Sequence, residues 1–118
     1  MGLLSREQVL AAEDVKCRDV EVPEWGGTVR VRVMSGAQRD RYEQMVEDQR
    51  SGKKVDVRGL TVALVILTLV DEEGKPLFTL ADLDAVNAKN AAVINRLFRV
   101  AQELNALSEE EIEGLAGN

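Results

Sequence analysis

Hydrophobic and polar residues follow several different patterns along the chain, and one stretch is apolar on every side. Leu60–Val70 reads Leu-Thr-Val-Ala-Leu-Val-Ile-Leu-Thr-Leu-Val, broken only by two threonine hydroxyls. At about 25 cal/mol per Å² of apolar surface, covering such a run contributes on the order of ten kcal/mol gross, against an ordering entropy of similar size. The run is therefore expected to be the buried centre on which more amphipathic segments lay their apolar faces. Periodicity leaves its state open. The β-branched Thr61, Val62, Val65, Ile66, Thr68 and Val70 favour a strand. Extension back to Val57, with Asp56 placed as an N-cap and Asp71-Glu72-Glu73-Gly74 following as a turn, favours a helix.

Before this run, Ser5 with Gln8 three residues on forms the reciprocal capping pattern of a helix start, predicting a short helix to about Glu13. Val15–Val22 then shows strand alternation, Val20 and Val22 against Asp19 and Glu21, and Thr28–Met34 repeats it with Val29, Val31 and Val33 against Arg30 and Arg32. Pro23-Glu24-Trp25-Gly26-Gly27 separates the two runs with a residue that lacks a backbone donor and two that tolerate positive φ, so an antiparallel hairpin is predicted. Its acids and arginines should share the solvent face and pair across the strands. Ser35 with Gln38 repeats the capping box and predicts a surface helix through Tyr42, Met45 and Val46 to about Glu47. Asp48–Asp56 has no periodicity and reads as a loop.

After the turn at Asp71–Gly74, Lys75–Phe78 should be extended, because proline disfavours α conformation in the residue before it. Thr79 caps another short helix, with Asp82 at the fourth position. From Ala91 to about Leu104 the stripe Val93, Ile94, Leu97, Phe98, Ala101 and Leu104 keeps clean three-and-four spacing, with Asn95, Arg96, Arg99, Gln102 and Glu103 facing away. Ser108-Glu109-Glu110-Glu111 caps a last turn or two carrying Ile112 and Leu115. The expected architecture is one α+β domain spanning 1–118: an N-terminal helix in 1–14, an antiparallel β-hairpin in 15–34 packed against a four- to five-helix cluster with its core in 35–107, and a fraying C-terminal helix in 108–118.

Composition narrows function mainly by exclusion. The net charge of −6 and pI near 4.7 argue against binding a phosphate backbone. The chain has no histidine, which removes the commonest general base and the commonest metal ligand together. The acidic runs sit at turns and helix starts, where solvation and capping already account for them. The single Cys17 has no histidine to activate it, and with no signal-like apolar segment at the N-terminus the chain reads as cytosolic. A membrane span would need about twenty apolar residues. No catalytic, metal-ligating or cofactor-binding residue is assigned and no cofactor is expected. Trp25, on a turn, is either a lid folded back over the hairpin's apolar face or an exposed anchor for a partner.

The stretch Asp19–Glu43, from Asp-Val-Glu-Val-Pro-Glu-Trp-Gly-Gly-Thr-Val-Arg-Val-Arg-Val to the capped helix at Ser35, resembles the tail assembly chaperones of long-tailed bacteriophages and prophages of the kind carried by Gram-positive hosts. The resemblance continues through the apolar run and Val-Asp-Glu-Glu-Gly-Lys-Pro-Leu-Phe to Leu-Asn-Ala-Leu-Ser, covering Lys16 to Ser108. It implies a non-enzymatic protein of the host cytoplasm, absent from the mature virion, that coats the aggregation-prone tape-measure protein and recruits tail tube subunits. Many such proteins also exist in a longer form made by ribosomal frameshifting, which makes such a form a further candidate partner; no nucleic acid or membrane is implied. Under this reading the partner contacts to look for first are Trp25, Tyr42, Met45, Val46, Ile112 and Leu115. The residues alone also leave open a generic interaction adaptor of virion morphogenesis or regulation.

Overall fold

In the computed structural model, which describes residues 2–52 and 59–105, the chain runs α1 (Arg6–Ala11), β1 (Cys17–Val22), β2 (Gly27–Arg32), α2 (Gly36–Arg50), α3 (Gly59–Thr68), β3 (Leu69–Val70), α4 (Leu83–Asn87) and α5 (Ala91–Leu104). Single 3-10 turns occupy Pro23–Trp25 and Leu80–Asp82. The α+β architecture expected from the sequence is present, with one addition: the hairpin gains a third strand, in the order β1-β2-β3.

The apolar run supplies both the central helix and that extra strand. Residues Leu60, Ala63, Leu64 and Val65 of α3 are fully buried, as expected of a helix that is hydrophobic all round. It does not continue to Val70, however. The Thr68 hydroxyl donates back to the Leu64 and Val65 carbonyls at 2.8 and 3.1 Å, and the next two residues pair with β2 as Val31↔Leu69 and Arg30↔Val70. Where β2 offers an open edge, the last two residues of the run take it. The proposed cap at Asp56 and the extension to Val57 lie outside the described residues.

The hairpin is antiparallel, as expected, and carries a cross-strand acid–arginine pair. Asp19 stands opposite Arg30, and the guanidinium donates to both carboxylate oxygens, at 2.7 and 3.1 Å. On the other face Val20, Val22, Val29 and Val31 turn towards α5 and the core. Gly26 closes the turn at φ 76°, a conformation that a side chain would strain. Both capping boxes, at Ser5 and Ser35, are formed.

The strands differ at their ends from the alternating runs, covering Cys17–Val22 and Gly27–Arg32, and two helix ends differ from expectation. Helix α1 ends at Ala11, and none of its residues is buried. Helix α2 runs to Arg50, so Asp48–Arg50 are helical rather than part of a loop. No apolar residue marks that last turn; a Gln44–Asp48 side-chain hydrogen bond at 2.9 Å supports it, and the Ser51 hydroxyl closes it by donating to the Glu47 and Asp48 carbonyls. The predicted helix carrying Ile112 and Leu115 lies outside the described residues.

Helix α3 packs against α5, α4 and α2. Its approach to α4 is close: a Cβ at Gly59 would stand 3.2 Å from Leu83 Cδ1. Helix α5 starts at the Asn90 cap, whose Oδ1 accepts from Ala92 and Val93, and it buries Val93, Ile94, Leu97 and Ala101. Its far end is tied to the β2–α2 junction by Asn105, whose Oδ1 accepts from the Met34 amide at 2.7 Å while its amide nitrogen donates to the Ala101 carbonyl at 2.8 Å.

Candidate protein-interaction surface

After β3 the chain turns at Asp71–Gly74 and comes back extended, with Leu77 N–H donating to the Leu69 carbonyl at 3.1 Å. The proline keeps this return segment extended and places Leu77 and Phe78 before the Thr79 cap. Leu77 is 45% exposed and Phe78 is half-buried. Phe78 forms a wall common to two open hollows. One, of about 500 Å³, is bounded by Ile66, Leu67, Pro76, Phe78 and Leu80 with Gln38 and Arg41 from α2. The other, of about 420 Å³, is bounded by Trp25, Phe78, Ala85, Val86 and Lys89.

Several contacts hold these walls in place. Gln38 accepts from the Ser35 amide at 2.9 Å to complete its capping box, and its Nε2 donates to the Leu67 carbonyl at 3.1 Å, joining α2 to the end of α3. The turn bearing Trp25 is braced by its neighbour Glu24, which takes two hydrogen bonds from the Arg96 guanidinium on α5 at 3.0 and 2.6 Å. That pairing, helped by a backbone hydrogen bond, holds the Glu24 carboxyl down at about 2 and raises Arg96 above its ordinary value. Thr79 N–H donates to Asp82 at 2.9 Å, fixing the chain after Phe78.

Chemically, this arrangement offers apolar surface edged by cations. The charged side chains among the lining residues are Arg41 and Lys89; no carboxylate lines either hollow. Both cations are exposed, and neither is in an ion pair among the described residues. The described residues hold no group of three or more Cys, Asp or Glu side chains placed to bind a metal, and no helix among them is long and apolar enough to cross a membrane.

The candidate contacts from the sequence fall in different places. Trp25 is 37% exposed and lines one hollow together with Phe78, Ala85 and Val86. Tyr42 and Val46 are buried in the core, and Met45 is half-buried against it. Ile112 and Leu115 lie outside the described residues. Of the six, the structure places Trp25 on the surface just described.

The family model for phage tail assembly chaperones matches residues 5–114. The chain belongs to that family. Among solved structures, the tail assembly chaperone of bacteriophage HK97 is similar at 28% identity and a TM-score of 0.58, over 83% of this chain and 90% of that one. A search of curated proteins gave no match. Of the apolar residues that line the two hollows, Pro76, Phe78, Leu80 and Ala85 are not marked by periodicity, whereas Ile66 and Leu67 belong to the apolar run; the most exposed large apolar side chains stand elsewhere, at Leu3, Leu4, Val9 and Leu10. The available signal was Pro76-Leu77-Phe78, an apolar triplet in an extended segment, where neither a helical nor a strand stripe requires burial.

Proposed function

We propose that the chain acts without catalysis, binding the tape-measure protein, keeping it soluble and helping recruit tail tube subunits to it in the host cytoplasm, and that it does not remain in the mature virion. Family membership supports the chaperone part of this reading. The observation that carries the client-binding part is the pair of apolar hollows sharing Phe78, on a chain whose net charge of −6 keeps a loaded complex dispersed. A chaperone needs apolar contacts that form with the client and let go again, and open hollows at a domain surface allow that where a closed core does not.

Co-expression with the tape-measure protein of the same gene cluster tests the reading. The soluble fraction of the client should rise several-fold in the presence of this chain. A client that stays equally insoluble with and without it refutes the proposal and leaves a generic morphogenesis adaptor as the better description. The gene cluster also tests the expected Gram-positive host and the expected frameshifted longer form, which needs a slippery codon run near the end of this reading frame.

A further inference from the structure

We infer that the two hollows flanking Phe78 bind an amphipathic helix of the client whose apolar stripe is bordered by carboxylates. This rests on the function proposed above and specifies the chemistry of the partner.

The shape of the surface points to a helix. Two adjacent hollows with a single aromatic wall between them suit successive anchor side chains on one helix face, spaced a turn or two apart. The backbone points the same way. The lining residues come from α2, α3, α4 and the turn after it that carries Lys89, the two 3-10 turns and the extended Pro76–Thr79 segment, and none belongs to β1, β2 or β3. The extended segment is bridged to β3 at Val70↔Pro76, but it makes a poor edge for a partner strand: Pro76 has no N–H and the Leu77 N–H is already given to the Leu69 carbonyl, whereas a helix satisfies its own backbone and needs no edge.

Charge then selects among helices. The chain carries 21 acids against 15 Lys and Arg, yet the charged residues lining these hollows are Arg41 in one and Lys89 in the other. Arginines of the hairpin and of α5 are committed elsewhere: Arg30 to Asp19, Arg18 to Glu103 and Arg96 to Glu24. Arg41 and Lys89 have no such acid among the described residues. A helix with glutamates beside its apolar anchors would pair with both cations; one with lysines there would meet like charge at both.

The test uses the whole 118-residue chain and its single tryptophan, Trp25, as the reporter. Two tryptophan-free model helices of about 18 residues, with leucines at three-and-four spacing, differ only in carrying Glu or Lys beside the leucines. At low salt the Glu helix should shift Trp25 emission to the blue and bind about tenfold more tightly than the Lys helix. In the double variant Arg41→Glu, Lys89→Glu the preference should reverse. Because both side chains are exposed, that variant should keep its melting temperature, which is checked alongside. Equal binding of the two helices, or a preference that survives the charge reversal, overturns the inference. So does a blue shift that grows with protein concentration in the absence of peptide, which would mark the hollows as a contact between copies. Client solubilisation without any charge preference would sink this inference alone; charge preference without solubilisation would sink the functional proposal alone.

Discussion

Replacing Leu64 with Ala tests whether α3 is the centre of the fold. Leu64 is fully buried in the middle of α3. Truncating a leucine in such a place loses the transfer free energy of the removed carbons and leaves a cavity that its neighbours fill only in part, which together cost about 3–4 kcal/mol. Unfolding entropy near 60 °C is about 2.1 cal/mol/K per residue, so a chain of 118 residues gains or loses about 4 °C of melting temperature per kcal/mol. Leu64→Ala should therefore melt about 12–16 °C below the parent chain in calorimetry or circular dichroism. Urea unfolding should show a lower midpoint at an unchanged slope. Leu10→Ala is the matched control: at 68% exposure on α1, it should move stability by no more than about 0.5 kcal/mol. If Leu64→Ala costs no more than Leu10→Ala, the burial of α3 described here is wrong.

Three other perturbations probe the contacts around the interaction surface. The Glu24 carboxyl is held below its ordinary value of 4.5, at about 2, so its contribution to stability is complete above pH 4.5 and is lost as the pH falls from there towards 2. In Glu24→Gln, acid titration followed by melting temperature should be shallower across that interval than in the parent chain; identical profiles would show that the Arg96 brace contributes nothing. Gln38→Glu keeps an acceptor for the Ser35 amide but removes the donor to the Leu67 carbonyl, and should cost about 1 kcal/mol in urea unfolding. Asn105→Ala leaves the Met34 amide without the oxygen it now meets at 2.7 Å, and should cost about 1–3 kcal/mol by the same assay.

Much of the fold could be read from the sequence because local rules and tertiary structure agree there. The alternating valines, with acids on one strand and arginines on the other, specify an antiparallel hairpin, and an antiparallel hairpin is what forms. The reciprocal caps at Ser5 and Ser35 satisfy helix-end donors within four residues, and the stripe on α5 has one face to bury. Where a distant element decides the outcome, local reading stops short. The division of the apolar run at Thr68 depends on the open edge of β2, which no window around Leu69 contains. The last turn of α2 rests on polar side chains, invisible to a hydrophobic pattern. Asn105 looks like an ordinary helix end until its contact with Met34, 71 residues away, is known. The interaction surface was the least legible part: Trp25 stood out as a lone indole on a turn, but its neighbours Phe78, Ala85 and Val86 reach it only through the packing of the return segment and α4.

The most direct measurement of the central claim is the soluble fraction of the tape-measure protein co-expressed with Trp25→Ser. Trp25 is 37% exposed and stands outside the buried core cluster, so the variant should stay folded and melt within a few degrees of the parent chain. The account predicts that soluble client drops most of the way to its level without the chaperone. A folded Trp25→Ser chain that solubilises the client as well as the parent does would contradict it.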